Sequence, residues 1–481
     1  MAKKSVSKNY IYNLVYQILL MVIPLITTPY LSRVLGAENL GIYSYTLSIA
    51  TYFVLFGSLG VALYGQREIA YVRDDKDKLS KTFFEILFFR FVSMAFSIFT
   101  FYLFFCLNGN YKVYYRILLL ELVANSLDIS WLFQGLEEFK KITGRNIVVK
   151  LISLVLIFTL VKTKNDLWLY VVIYVLSDVI GNLSLWPYLP KYVNKVKPKR
   201  LNLKKHLRPI LALFIPQIAV NIYTVLDKTM IGLISGNMVA EGNYEQSQNI
   251  VKTALTVVTA LGTVVSPRIA NSMSNHDTEK INEYLSKSFR FVWFMGIPVM
   301  FGIMGIANTL VPWFLGSEFN DSVALIMLGS PLIMAIGLNN VKGLQYLVPV
   351  KKQKLFTLSV VIGALFNFTL NSILIPIYGA NGAIIASVLA EFLILTIHIL
   401  GIKKDIDIKM IYKGSLKYIV SGIIMFSVVY FIGIKMNPTM STTFLQILVG
   451  IIIYTLLLII AKDDFIIDIF KKMYNFIKLK K

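Results

Sequence analysis

Long apolar runs recur along almost the whole chain, and they constrain its fold more than any other feature. A helix needs about 20 largely apolar residues to cross the roughly 30 Å of hydrocarbon in a bilayer. About fourteen such runs are present, and they lack the period-two alternation of membrane β-strands. The sequence therefore predicts an all-α integral membrane protein. The predicted spans are 9–31, 41–63, 83–107, 111–135, 147–163, 167–188, 207–235, 245–270, 288–311, 321–340, 355–376, 380–401, 414–434 and 440–461.

The composition supports this interpretation and narrows the function. Only 15% of the 481 residues are charged, whereas a soluble domain carries about 25%. A net charge of +22 would suggest nucleic-acid binding in a soluble protein. Here the basic residues lie in short segments between apolar runs, which favours topology signals and contacts with anionic lipid headgroups instead. With Cys106 as the single cysteine and no Cys/His cluster, the sequence predicts no disulfide and no metal site.

The basic residues alternate between the two sides of the predicted membrane. With the N-terminus inside, the segments predicted to face the cytoplasm hold 38 Lys and Arg residues, and the opposite segments hold five. This asymmetry is the positive-inside signal, so it predicts an even number of spans and two cytoplasmic termini. The inward segments are 1–8, 64–82, 136–146, 189–208, 268–290, 341–354, 402–417 and 462–481.

Two turns indicate an internal duplication. Leu35–Tyr43, after the first span, and Ser235–Tyr244, after the seventh, share a Gly…Gly-x-Tyr pattern with one extra residue in the second copy. Many transporters consist of two such repeats with the substrate path between them. The predicted domains are a six-helix lobe at 1–190, a basic cytoplasmic linker at 191–208, a second six-helix lobe at 209–401, and two further helices with a basic tail at 402–481.

Ionisable and strongly polar side chains recur inside the spans, where they are costly and usually face a cavity. Glu121, Asn125 and Asp128 are spaced i, i+4, i+7, so they share one face of the fourth span. The seventh and eighth spans each combine a cation with several polar groups, which favours a hydrated cavity for an anionic substrate because Lys and Arg bind phosphate oxygens. The candidate cations are Arg90, Lys228 and Lys252, and the candidate acidic and polar residues are Glu121, Asn125, Asp128, Asp178, Gln217, Asn221, Asp227, Glu245, Asn249 and Glu391.

Structural roles stay open for the same residues. Arg67 and Lys150 lie near span ends, from which a long side chain can reach the interface. Arg90 can pair with an acid on the fourth span as a link between helices, and Asn and Thr side chains can bond neighbouring helices. His398, near the end of a span, is interpreted as a packing or helix-end residue rather than a catalytic base.

Several segments resemble the Wzx-type polysaccharide flippases, and the resemblance covers essentially the whole chain in the family's order. The similar segments are Pro24–Gly36 with Gly41–Ser44, Leu63–Ala70, Leu226–Gly232 with Gly242–Gln246, and Tyr378–Ala383. Because Arg67 falls inside one of them, the resemblance adds this residue to the candidate cavity cations. Lys228 falls inside another.

The resemblance implies the fold of the multidrug/oligosaccharidyl-lipid/polysaccharide exporters, with two six-helix lobes and two trailing helices around a central cavity. It implies a flippase rather than an enzyme, which moves undecaprenyl-pyrophosphate-linked oligosaccharide repeat units across the bacterial cytoplasmic membrane by alternating access. No cofactor is expected. The expected partners are the lipid-linked oligosaccharide, membrane lipids, a polysaccharide polymerase and chain-length regulators, with the flippase itself a monomer.

Three alternatives stay open. A cation-coupled multidrug antiporter would share the fold but favour acidic cavity residues, whereas this chain mixes Lys and Arg with its acids. A repeat-unit polymerase would need a sizeable outward loop, and the predicted outward loops have about ten residues or fewer. A flippase for a teichoic acid precursor or for lipid II is not separable from the sequence.

Overall fold

A computed structural model of the protein describes the backbone of residues 6–196, 202–403, 405–468 and 471. Within these ranges, the side chains of 6–21, 215–217, 219–223, 263 and 264 lie outside the description. The described backbone is overwhelmingly helical and contains no β-strand, which confirms the predicted all-α class. The described backbone also contains three π-helical segments, Tyr102–Cys106, Ile231–Ser235 and Val341–Leu347, which directly follow the α-helices that end at Phe101, Met230 and Asn340. The α-helices are α1 (Val6–Ser58), α2 (Val61–Val72), α3 (Lys76–Phe101), α4 (Lys112–Ser126), α5 (Ser130–Gly135), α6 (Phe139–Leu160), α7 (Leu167–Leu183), α8 (Leu189–Tyr192), α9 (Lys204–Met230), α10 (Met238–Thr259), α11 (Gly262–Ser274), α12 (Thr278–Phe314), α13 (Ser322–Gly329), α14 (Pro331–Asn340), α15 (Gln353–Tyr378), α16 (Ala380–Ile402), α17 (Ile408–Tyr412), α18 (Ser415–Lys435) and α19 (Met440–Ile460).

The long helices present apolar surfaces that only a lipid environment satisfies. On α18 and α19, Leu416 and Ile460 are 72% and 75% exposed, and they are part of a large set of exposed apolar side chains. Contiguous apolar surface of this kind is a liability in water. In hydrocarbon it is the stable outer face of a helix whose backbone groups are bonded internally.

The described residues contain 11 helical segments that are long and apolar enough to cross a membrane, so the protein is a multi-pass membrane protein. The first two predicted spans lie in one segment, because two helices follow each other without a loop at Gly36, which is itself non-helical with a φ of 78°. Of the other two predicted spans that are not counted, α10 is polar in composition, and part of α9 lies outside the described side chains. The count of about fourteen therefore stays a prediction.

The first compact unit comprises Met1–Gly242. Within it, α1 packs against α3, α4, α6 and α9, and α4 packs against α7. An aromatic core forms beside α2, where the rings of Phe83 and Trp131 stack with their centroids 5.3 Å apart. Gly65 lies against this core, since a Cβ atom there would be 2.4 Å from the indole of Trp131.

The second compact unit comprises Asn243–Lys481, in which α12 packs against α18 and α19, and α15 packs against α16. Just beyond α19, the buried Asp463 pairs with Lys417 and with Arg290, and it accepts a hydrogen bond from Tyr418 at 2.8 Å. Burial raises the pKa of this carboxyl, but the hydrogen bonds from Lys417 and Tyr418 outweigh burial and hold the pKa below its ordinary value of 3.8. Asp463 therefore fastens the end of α19 to α18 and α12.

The glycines of the two repeated turns meet inside the first unit. A Cβ atom on Gly41 would lie 1.8 Å from the carbonyl oxygen of Met238, and one on Gly242 would lie 1.9 Å from the carbonyl oxygen of Ala37. The contact is reciprocal, because each glycine faces the carbonyl of the residue four positions before the other. Gly36 and Gly236, which begin the two motifs, both have positive φ angles, 78° and 63°, although their ψ angles differ, at 173° and 2°. This geometry supports the predicted duplication, whereas the predicted lobe boundaries stay predictions.

Candidate functional site

Arg90 is the most buried charged side chain of the predicted set, at 2% exposure on α3. Its Nε and Nη2 atoms both donate to the backbone carbonyl of Asn125, the former at 2.8 Å. Nη2 also lies 3.5 Å from the Asp128 carboxylate. The guanidinium therefore donates to the Asn125 carbonyl near the end of α4 and balances the charge of Asp128, one of the predicted acids.

The predicted polar face of α4 is present and continues onto α7. Asn125 Nδ2 donates to Glu121 Oε1 at 2.9 Å, which is the i, i+4 contact that the spacing predicts. Electrostatic interactions join Glu121 to Asp178 on α7 and to Lys150 on α6. A partly buried group of mixed charge thus lies between α4, α6 and α7, with Glu121 buried and Lys150 and Asp178 half-buried.

Tyrosine side chains border this acidic pair. The ring of Tyr43 on α1 lies 5.0 Å from that of Tyr170 and 5.8 Å from that of Tyr174. The Lys150 ammonium lies 5.9 Å from the Tyr174 ring centroid. We define the N-unit cluster as Arg90, Glu121, Asn125, Asp128, Lys150 and Asp178 with these three tyrosines.

The N-unit cluster balances its charges, with Arg90 and Lys150 set among Glu121, Asp128 and Asp178. Arg145 on α6 adds a third cation, since it acts electrostatically on Asp178 and donates to the Gly181 carbonyl at 2.8 Å. Buried charges in a membrane are stable only when paired or hydrated. The cluster can therefore hold polar or ionic groups at membrane depth.

Arg67 is not brought into this cluster. It is exposed on α2, where its Nη2 lies 3.1 Å from Glu68 Oε1 and its guanidinium lies over the ring of Tyr64. Its role as a cavity cation stays a prediction.

The structure describes only part of the predicted stripes on α9 and α10. Asp227 is buried and Lys228 is half-buried on α9. The side chains of Gln217 and Asn221 lie outside the described residues. In the second unit, Lys252 is exposed on α10, and Asn249 Nδ2 donates to Glu245 Oε1 at 3.4 Å.

Glu391 lies in a second polar group inside the second unit. It is 7% exposed on α16, and Asn339 Nδ2 donates to its Oε2 atom at 2.8 Å and to its backbone carbonyl at 3.0 Å. Asn367 on α15 bridges to α16, because its Nδ2 atom donates to Ser387 Oγ at 3.2 Å. Asn371 Nδ2 donates to Asn367 Oδ1 at 3.1 Å, so these amides form a fully buried ladder.

Sequence reasoning missed a buried lysine. Residues 341–354 were predicted to be a cytoplasmic loop, and this is wrong for its first half: Val341–Leu347 is π-helical, and Lys342 within it has no exposed surface. The signal that would have corrected the prediction is the apolar run around it, which includes Val341, Leu344 and Leu347. His398, interpreted as a packing residue, is indeed buried, with Nε2 2.7 Å from Ser359 Oγ.

A buried hydrogen-bond chain around His206 was also missed. The Tyr64 hydroxyl lies 2.6 Å from His206 Nδ1, and His206 Nε2 lies 2.7 Å from Glu85 Oε2. The same carboxylate pairs with Lys205 at 2.8 Å and accepts from the backbone N–H of Asn202 at 2.6 Å. These contacts fasten the start of α9 to α2 and α3. No sequence pattern indicates this chain, because His206 lies within the predicted basic linker 191–208.

Comparisons with known proteins indicate the family to which this chain belongs. A model of the polysaccharide biosynthesis protein family matches residues 6–273, more than half of the chain. The chain belongs to this family. The putative O-antigen transporter of Escherichia coli K12 is 25% identical over 408 residues, covering 84% of this chain and 98% of that protein. The probable low-salt glycan biosynthesis flippase Agl15 of Haloferax volcanii is 24% identical over 239 residues, covering 48% of this chain and 49% of that protein.

Solved structures share the fold. Lipid II flippase MurJ in an inward closed conformation aligns with a TM-score of 0.75 at 15% identity, covering 95% of this chain and 100% of that one. An inward-facing multidrug resistance MATE family transporter of the MOP superfamily aligns with a TM-score of 0.63 at 12% identity, covering 85% of this chain and 94% of that one. These alignments confirm the predicted all-α membrane fold, and the family model confirms the predicted polysaccharide family.

Proposed function

We propose that this protein is a flippase that moves undecaprenyl-pyrophosphate-linked oligosaccharide repeat units from the inner to the outer leaflet of a bacterial cytoplasmic membrane. The observation that carries the proposal is the near full-length similarity to the putative O-antigen transporter of Escherichia coli K12, which extends over 98% of that protein. The flippase-like fold and the named glycan flippase of Haloferax volcanii support it.

The physical task of such a protein is to carry a charged, hydrated headgroup past the hydrocarbon core. A diphosphate and its sugars lose their hydration in oil at a cost that no lipid tail compensates. Polar and ionic side chains at membrane depth replace that hydration. The N-unit cluster and the amide ladder around Asn367 supply polar groups in the two units.

The protein performs no covalent chemistry in this account. Alternating access requires two conformations with different affinity for the substrate. We propose that the diphosphate binds to the predicted cavity cations while the polyprenyl tail stays in the bilayer. These cations are Arg67, Arg90, Lys228 and Lys252. Of these, Arg90 is already bonded to Asn125 and Asp128 in this conformation.

We further propose that the flippase works as a monomer with both termini in the cytoplasm, beside a polymerase and chain-length regulators that use its product. The asymmetry of basic residues, 38 against five, supports this orientation. A multidrug antiporter would have the same fold, but this chain is similar in sequence to a putative O-antigen transporter and a probable glycan flippase. Lipid II and teichoic acid precursors carry the same phosphorylated polyprenyl chemistry, and the experiment below separates them.

Deletion of the gene tests the proposal. The expected result is an accumulation of undecaprenyl-linked repeat units on the cytoplasmic leaflet and a loss of surface glycan, with cell-wall synthesis unaffected. An arrest of peptidoglycan synthesis with accumulated lipid II would instead assign the protein to that precursor. Unchanged lipid-linked intermediates would overturn the proposal.

Charge reversal tests the proposed cations in the same strain. Lys228→Glu and Lys252→Glu should restore surface glycan poorly at normal protein abundance, because a carboxylate repels the diphosphate. Lys403→Glu, at an exposed position beyond α16, is the matched control and should complement fully. Full complementation by the first two variants would show that these lysines do not bind the headgroup.

A further inference from the structure

Lys342 is a fully buried lysine that no part of the proposed mechanism uses. It has no exposed surface, and its Nζ atom has no hydrogen-bond partner among the described residues. His398 lies beside it, because a Cβ atom on the adjacent Gly343 would be 3.4 Å from His398 Cε1. Within the described part of the chain, His398 Nδ1 and the nearby Gln345 Oε1 also lack hydrogen-bond partners.

The described residues around Lys342 provide no negative charge for an ammonium. The π-helical segment packs against α11, α12, α14, α15 and α16. From α16, His398 is the titratable group that interacts electrostatically with Lys342, and among the described residues no carboxylate acts on the amine. The other ionisable groups on these elements are engaged or exposed elsewhere. Glu391 is bonded by Asn339, Arg290 pairs with Asp463, and Tyr346 interacts with Asp405. On α12, Lys280 pairs with Asp277, Lys287 pairs with Glu283, and Tyr284 is half-buried. Exposed side chains are those of Arg268, Glu279, Lys354 and Tyr378.

An ammonium ion in these surroundings is strongly disfavoured. A charge taken out of water without a partner costs far more free energy than a neutral polar group, so a buried lysine without a partner sheds its proton. A neutral amine needs no counter-ion, and its lone pair is then available to accept a proton. The deprotonated amine is therefore the species that this geometry accommodates.

We infer that Lys342, beside His398, is a proton-binding site of the transport cycle, empty in this conformation and loaded when substrate binds. The step is the reaction of the neutral amine with one proton from water to give the ammonium ion. An anionic diphosphate headgroup, with the water that enters beside it, supplies the compensation that the ammonium lacks here. Substrate-linked loading rests on the proposed function, whereas the neutral amine does not.

The neutral amine can be observed directly. Protein labelled with ¹⁵N in the lysine side chains and reconstituted in lipid nanodiscs gives separate nitrogen resonances for amine and ammonium. At neutral pH we expect one amine resonance, absent from Lys342→Met and retained in Lys403→Met, which replaces an exposed lysine of the same unit. A wild-type spectrum with ammonium signals only would overturn the inference, even if Lys342→Met does not fold.

Proton uptake tests the link to substrate. Undecaprenyl pyrophosphate is added to the nanodiscs in weak buffer with a pH-sensitive dye, and its binding is measured in parallel. We expect about one proton taken up per bound lipid by the wild type and Lys403→Met, and a loss of uptake by Lys342→Met. Binding without uptake by the wild type would refute substrate-linked loading. Absence of binding would count against the proposed function instead, and the spectrum would still decide the state of Lys342.

Discussion

The reciprocal glycine contact gives the sharpest prediction of the fold, because backbone atoms occupy the place of the missing side chain. Gly41→Ala would put a methyl group 1.8 Å from the Met238 carbonyl oxygen. Normal contact between such atoms begins at about 3.5 Å. Since a carbonyl cannot rotate away as a side chain can, the two segments must separate by about 1.5 Å or more.

The magnitude follows from the cost of overpacking. Inserting a methyl group into a well-packed site costs about 1–3 kcal/mol, and more where the neighbour cannot move. We expect about 3 kcal/mol for Gly41→Ala, and a similar loss for Gly242→Ala because the contact is reciprocal. The pair should be non-additive, since the first substitution already opens the contact that the second would fill.

Thermal unfolding of the purified protein in detergent provides the assay. The matched control is Gly144→Ala on α6, where a Cβ atom would meet nothing within 4 Å. That substitution should be neutral or stabilise the protein by about 0.5–1 kcal/mol, because alanine favours a helix over glycine. A midpoint for Gly41→Ala that equals the wild-type or Gly144→Ala value would refute the predicted contact.

Two further predictions concern buried ion pairs, both measured as detergent unfolding. Arg90→Met should cost about 3–5 kcal/mol, because it leaves Asp128 and the Asn125 carbonyl without their buried cation, whereas Arg67→Met at the exposed pair with Glu68 should cost less than about 1 kcal/mol. Equal losses would contradict the assigned contacts. Asp463→Asn should cost about 3 kcal/mol and should flatten the acid limb of the stability profile. The lowered pKa of Asp463 gives stability that is fully present above its ordinary value of 3.8 and lost as the pH falls below it. An unchanged acid limb would contradict this role.

The sequence predicted helices and faces well because both depend on local spacing. The face of Glu121, Asn125 and Asp128 follows from the helical period alone, and the structure places Asn125 on Glu121 as that period requires. The possible pairing of Arg90 with an acid of the fourth span also proved correct. This pairing could be inferred from the depth of each residue in its predicted span.

Contacts between distant segments could not be predicted in the same way. The period of α4 gives its polar face but not the helix that this face meets, so Asp178 and Lys150 appeared as separate candidates rather than as neighbours of Glu121. The chain from Tyr64 through His206 to Glu85 joins segments more than one hundred residues apart. Such pairs depend on tertiary packing, which a single sequence does not encode locally.

Lys342 shows how a correct rule can mislead at one residue. Basic residues near span ends are usually topology signals, and this lysine was counted as one. The π-helical segment extends the span past it, so that its side chain is buried at the end of α14 rather than exposed in a loop.

Flipping in reconstituted vesicles measures the proposed transport activity itself. Purified protein is placed in liposomes with a fluorescent undecaprenyl-pyrophosphate-linked oligosaccharide, and a membrane-impermeant glycosidase reports how much of it reaches the outer leaflet. We expect the protein to make the inner-leaflet pool accessible to the glycosidase, and Lys228→Glu to slow this transfer. Protein-containing vesicles whose inner pool stays as protected as that of empty vesicles would contradict this expectation.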